Sequence, residues 1–143
     1  MWIGIVGSEA AKFTPETEAR ARAVIRRYLS KPGRTGVISG GCHLGGIDEW
    51  AIEEGRKFDL ATQEFKPQTL NWSTGYKPRN LKIAQESDAV LCITVKELPP
   101  GYQGMRFKLC YHCGTDDHVK SGGCWTMKQA ARMGKPTHLE IIV

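Results

Sequence analysis

Apolar positions along the chain switch repeatedly between a strand-like period of two and a helix-like period near 3.6. Trp2-Ile3-Gly4-Ile5-Val6 reads as a short apolar strand. Thr14-Pro15-Glu16 then supplies an N-cap, a first-turn proline and an acid, and Ala21, Val24, Ile25, Tyr28 and Leu29 follow at i, i+3, i+4, i+7 and i+8. This spacing predicts an amphipathic helix that stops at Pro32-Gly33. Residues 35–39 read as a second strand, and the helix after it carries Ile47, Trp50, Ala51 and Phe58 on its apolar stripe. A third strand is expected over 61–65, a loop over 66–77, and a helix from near Pro78 that turns Leu81 and Ala84 inward. Residues 89–95 are almost continuously apolar, the pattern of a central parallel strand covered on both faces. Residues 96–120 are rich in Gly, Pro and Cys and too long for a simple connector. A last helix from about Trp125 to Met133 ends at Gly134-Lys135-Pro136, and residues 137–143 form the final strand.

Five strands interleaved with helices and joined by right-handed crossovers predict an α/β fold. The expected form is a Rossmann-like three-layer sandwich around a mainly parallel five-stranded sheet. At 143 residues, with 41% hydrophobic content and no low-complexity tract, the chain is sized for one domain with one core, and 96–120 is its insertion loop. The longest apolar run is far short of a bilayer span, and the first strand lacks the basic flank and cleavage motif of a signal peptide. No membrane association and a cytoplasmic location are therefore expected. A formal charge of +5 favours an anionic ligand without selecting one. Five cysteines, an odd number, point to free thiols or a metal rather than a disulfide framework, and no redox cofactor is expected.

Three glycine-punctuated segments fall at strand-to-helix junctions: Val6-Gly7-Ser8-Glu9, the run from Ser39 to Asp48, and Ser121-Gly122-Gly123. In a parallel sheet such junctions share the edge at the carboxyl ends of the strands. There, backbone N–H groups and positive helix ends converge on anions. A single Gly-Gly pair is often no more than a tight turn; three on one edge point to a phosphate. The backbone candidates are Gly7, Gly40, Gly41, Gly45, Gly46, Gly122 and Gly123. Ser8, Ser39 and Thr126 add hydroxyls for phosphate or ribose, or serve as ordinary caps. Asp48 either holds a ribose hydroxyl or complements the helix dipole as a first-turn acid. Arg79, with Asn80 beside it, follows a proline that fixes the local backbone, and its planar fork suits bidentate contact with phosphate.

Gly40-Gly41-Cys42-His43-Leu44-Gly45-Gly46-Ile47-Asp48 resembles the glycine-rich region of the Rossmann domain of the bacterial DNA-processing protein A family. Pro78-Arg79-Asn80-Leu81-Lys82-Ile83-Ala84 with Ser87-Asp88-Ala89-Val90-Leu91, and Ser121-Gly122-Gly123 through Gly134-Lys135-Pro136, are similar to that family's later segments in the same order. The resemblance spans nearly the whole chain and implies membership of the SLOG superfamily, which also holds the LOONELY GUY phosphoribohydrolases. It implies a module that binds a nucleotide or a phosphate-bearing nucleic-acid end, and homo-oligomers; a single-stranded DNA-binding protein is a further alternative. The fold alone does not choose among these activities.

The phosphoribohydrolases carry a glutamate that serves cleavage of the N-glycosidic bond, and the resemblance places Gln129 at that position and Trp125 at a motif glycine. An amide cannot act as a general base or stabilise an oxocarbenium ion by charge. Binding is therefore expected over hydrolysis, unless Glu9 or Glu49 substitutes. Trp72, Tyr76, Tyr102, Tyr111 and Trp125 lie in or beside the ligand-edge loops, where they stack on bases or cover apolar surface. Cys110, Cys113, His118 and Cys124 read C-x2-C-x4-H-x5-C, close to a zinc knuckle, with Cys42 or His43 as an alternative fourth ligand. Reduced, partly buried thiols without a metal are the other reading of this cluster, and Cys92, inside the central apolar strand, reads as core.

Overall fold

Every residue of β4 (Ala89–Val95) beyond the first is buried, as its unbroken apolar run requires of a strand covered on both faces. In the computed structural model, which describes all 143 residues, β4 lies beside β1 (Trp2–Gly7) in a wholly parallel sheet of order β3-β2-β1-β4-β5. The other strands are β2 (Gly36–Ser39), β3 (Ala61–Glu64) and β5 (Thr137–Ile142). Four helices make the crossovers: α1 (Pro15–Leu29), α2 (Ile47–Lys57), α3 (Lys77–Glu86) and α4 (Gly122–Arg132). This is the α/β, Rossmann-like architecture that the alternating periods predict. No helix is long and apolar enough to cross a membrane.

The pleat sorts the core into two layers. Ile3 and Ile5 of β1 and Leu91, Ile93 and Val95 of β4 face α1 and α2, where Val24, Ile25, Leu29, Trp50 and Ala51 meet them. Their neighbours Val6, Val90 and Cys92 face the other way, against Ile83 and Ala84 of α3 and Met127 and Ala130 of α4. Burial of side chains of this size stabilises by roughly 1.5–3 kcal/mol each, so the β1–β4 pair anchors both faces at once. The outer strands are thinly covered, and β3 has no fully buried residue.

Local signals behave as their chemistry dictates at the start of α1. The Thr14 hydroxyl accepts from Thr17 N, and Thr17 Oγ1 accepts from Thr14 N, a reciprocal capping box. Three details differ from the sequence expectation. Phe58 lies past the end of α2 and is 38% exposed rather than buried on its stripe. The 66–77 segment contains a π-helical turn, Trp72–Tyr76, in which Tyr76 N bonds Asn71 O; it feeds α3 in a phase that buries Ile83 with Ala84 and leaves Leu81 only half-buried. Finally, α4 begins at Gly122 rather than near Trp125, because Ser121 caps it by accepting from Gly123 N.

A charged clamp holds α1 to α2. The Glu54 side chain is fully buried, and its Oε1 accepts from Arg22 Nη1, Arg26 Nη1 and Lys57 Nζ at 3.2, 3.2 and 3.3 Å. Arg22 also grips Glu18 and Glu53. Burial alone would raise the Glu54 pKa, but the bonds from Arg22 and Lys57 outweigh it and hold it below the ordinary 4.5. The clamp's stabilisation is therefore complete above pH 4.5 and fades as pH falls through the lower folded value. Glu54→Gln should cost about 2–4 kcal/mol in urea unfolding at pH 7, with the difference from wild type shrinking below pH 4.

Candidate ligand-binding cleft and Cys3His group

Strand order reverses between β1 and β4, because β2 and β3 lie on one side of β1 and β4 and β5 on the other. Ligands of open parallel sheets lodge at such a switch point. Here a cleft of about 660 Å³ opens between the first strand-helix loop, the β2–α2 loop, α3 and the start of α4. Its lining includes Gly7, Ser8, Asp48, Arg79, Asn80, Gly122, Gly123 and Thr126 of the residues expected from sequence. Ser39, Gly40, Gly41, Gly45 and Gly46 lie outside the lining.

Those glycines act one step back, by shaping the chain. Gly41, Gly45 and Gly46 have φ of +57°, +70° and +86°, backbone that side chains rarely adopt. Gly46 also lets Ile47 N reach Ser8 O at 3.1 Å, and a Cβ there would stand 2.6 Å from Ala10 N. Ser39 is fully buried, and its Oγ has no partner.

In the first loop, the Ser8 hydroxyl is buried and donates to Thr94 Oγ1 at 2.8 Å, which in turn donates to Val119 O. This chain pins the loop between β1 and β4. Glu9 lines the cleft and accepts from the Tyr102 hydroxyl at 3.0 Å. Lys12, which no sequence motif singles out, also lines it and donates from Nζ to Lys120 O at 3.0 Å. Burial lowers the Lys12 pKa, against the attraction of Glu9. Its one sequence signal was a position five residues past Gly7, at the switch-point loop.

On the opposite wall Arg79 donates from Nε to Asn80 Oδ1 at 2.6 Å and from Nη1 to Gly40 O, beneath the ring of Tyr76. Its Nη2 has no protein acceptor, which leaves a guanidinium donor for an incoming oxygen. Asp48, in the first turn of α2, is buried beside it, and burial pushes its pKa up to about 6 in spite of the Arg79 charge. The third wall is α4. Gly122 opens the helix at the cleft; the Ser121 hydroxyl and carbonyl take the N–H groups of Gly123 and Cys124, Gly122 N is left without an acceptor, and Thr126 sits buried one turn on. Aromatic rings line the opening: Trp72 and Trp125 meet edge to face at 4.9 Å, and Tyr76, Tyr111 and His112 join them.

Of the acids considered for catalysis, Glu9 faces the cleft, whereas Glu49 is exposed with Oε2 against Gly45, outside it. Gln129 lies outside as well.

The cysteine cluster assembles as its spacing suggested. Candidate ligand atoms of Cys110, Cys113, His118 and Cys124 all lie within 4.8 Å of one another. Cys110 O accepts from Cys113 N and Gly114 N, and Gly114 at φ +71° completes the knuckle. Cys42 lines the cleft and His43 is exposed, so neither joins the group. Cys92 is core, as expected, with Sγ 3.9 Å from Cys124 Sγ. Burial and the neighbouring Cys124 and Cys110 push the Cys113 thiol up to about 12, so a cation must displace protons to enter.

No family model matches the chain, and no curated protein matches it. Among solved structures it is similar to a molybdenum cofactor carrier protein from Chlamydomonas reinhardtii. That match has TM-score 0.61 and 16% identity, and it covers 96% of this chain and 74% of that one. It is also similar to DNA processing protein A from Helicobacter pylori, a structure described for its single-stranded DNA binding mode. There the TM-score is 0.57 and the identity 16%, with 97% of this chain and 64% of that one covered. At such identity the likeness shows the Rossmann-like fold, and this chain spans less than two thirds of the second protein.

Asp48 supplies a pH test of the cleft. Its folded pKa of about 6 lies above the ordinary 3.8, so the folded state holds the proton more tightly and its contribution to stability falls as pH rises between those values. Asp48→Asn lacks this titration. From pH 4 to pH 7 its urea stability relative to wild type should improve by on the order of 2–3 kcal/mol. A difference that stays flat would mean that Asp48 titrates like an exposed carboxylate.

Proposed function

We propose that this chain is a SLOG-type binding module for a nucleotide, with the phosphate at the switch-point cleft. The observation that carries the reading is the convergence of three unrelated elements on one cavity: the Gly7 loop, the glycine-opened start of α4, and the cations Lys12 and Arg79. A helix start and two cations favour an anion, and the aromatic opening favours a planar group attached to it. The volume falls within the range usual for small-molecule sites. In this reading Gly7 and Gly122 present backbone to the phosphate, Gly123 lets α4 approach Gly7, Arg79 and Lys12 supply charge, and Asn80 orients Arg79. Zinc, held by Cys110, Cys113, His118 and Cys124, serves as a structural ion.

A thermal-shift panel of mononucleotides, cyclic nucleotides and short oligonucleotides tests the proposal. A true ligand at ~100 times its dissociation constant adds about 2.7 kcal/mol to stability. Response only to oligonucleotides, growing with their length, would replace the nucleotide with single-stranded DNA. Lys12→Ala and Arg79→Ala should each weaken a phosphorylated ligand by roughly 1.5–3 kcal/mol while leaving the matching nucleoside little changed. Equal losses for both would make these residues structural.

The same reading expects no release of free base from nucleoside monophosphates, since the position that the resemblance gives to the catalytic acid is the amide Gln129, which does not line the cleft. Glu9 is the acid to watch, because it lines the cleft. Base release by the unaltered protein, abolished in Glu9→Gln, would make the chain a hydrolase.

A further inference from the structure

We propose that the Cys3His group is a closed zinc site whose ion, rather than apolar packing, builds one wall of the cleft. The long segment between β4 and α4 inverts the usual burial pattern. Within 96–120 the only buried side chains are Cys110 and His118, while Met105, Phe107, Leu109 and Tyr111 are exposed. A loop without an apolar core of its own needs another source of order, and four metal bonds provide one.

The geometry suits zinc. Bonds of about 2.3 Å to sulfur and 2.0–2.1 Å to nitrogen set tetrahedral ligands roughly 3.5–3.8 Å apart. Cys124 Sγ and His118 Nε2 stand 3.8 Å apart, and all four donors fit within 4.8 Å. Three sulfurs and an imidazole form a soft donor set that oxygen-seeking cations do not favour. A partner that orients the imidazole is in place as well. His118 Nδ1 lies 2.7 Å from Asp117 Oδ1, which accepts from the Thr115 hydroxyl, so a proton on Nδ1 leaves the Nε2 lone pair facing the cysteines. Four protein donors leave no open position, which makes the ion structural rather than catalytic.

The ligands bracket the cleft lining. Tyr111 and His112 fall between Cys110 and Cys113, and Lys120, Ser121, Gly122 and Gly123 fall between His118 and Cys124. One ion therefore ties the knuckle to the first turn of α4. The consequence for ligand binding rests on the reading of the cleft given above, whereas the metal site and its ordering of this wall do not.

The test uses the whole chain and zinc alone. Native mass spectrometry should show one zinc per chain, kept in Cys42→Ser and lost in Cys113→Ser. On chelation, hydrogen exchange across 110–126 should rise by about tenfold or more while β1 and β4 stay protected. Wild-type protein under chelation keeps the test decisive if Cys113→Ser does not fold. A chain that takes up no zinc and whose cysteines react freely with a thiol reagent would overturn the site. Zinc that leaves without any change in exchange across 121–126 would overturn its role in the wall. No nucleotide enters these readouts, so a failed ligand panel and a failed metal site give different results.

Discussion

The structure depends on a contact made without side chains. Gly123, in the first turn of α4, packs directly against Gly7 at the end of β1; a Cβ on Gly123 would lie 2.8 Å from Gly7 N and 3.0 Å from its Cα. On the other side Gly7 is pressed to the Ile93 carbonyl and to Ile47 of α2. This triple approach brings the end of the central strand, the start of α2 and the start of α4 to one place. Any larger residue would separate them and move the positive helix end away from the strand edge. The cleft is thus a product of backbone proximity first, and its side chains are added to a frame that glycine already fixes.

Around that frame, two kinds of cohesion divide the molecule. Below the strand ends, aliphatic side chains from both faces of β1 and β4 close the core, with the Glu54 clamp joining α1 to α2 outside it. Above the strand ends there is little aliphatic material, and order comes from polar links: Ser8 through Thr94 to Val119, Tyr102 to Glu9, Lys12 to Lys120 and Arg79 to Gly40. Each link crosses between segments far apart in sequence. Polar links are directional, so they hold loop positions that dispersion alone would leave soft.

Much of this was legible in the sequence, for physical reasons that differ by element. The apolar run of β4 and the Thr14 cap are local signals, and local signals survive tertiary context well. The cysteine-histidine spacing survived too, because a knuckle is short enough for its turn to set its geometry. The start of α4 lies earlier than the periodicity suggests because glycine is a poor helix former; packing against Gly7 explains Gly123 in the first turn, whereas a side chain at Gly122 would meet nothing within 4 Å. The inward face of α3 was shifted by a π-helical turn that no period reveals. For Gly41, Gly45 and Gly46 the sequence could not separate turn-making from ligand contact, since both ask for the same residue. Lys12 carries no motif and gains its place solely from the 3D position of its loop.

The strand order has a consequence for how the chain comes together in time. β1 is first in sequence yet central in the sheet, and its partner on one side, β2, follows within forty residues. Its other partner, β4, arrives only after residue 88, and the α4 start that meets Gly7 only after residue 121. During synthesis β1 therefore waits with one apolar edge unpaired, a state prone to pairing with other chains. Because these contacts are long-range and parallel, closure of the sheet is expected to be slow, and the cleft cannot exist until the start of α4 has been made.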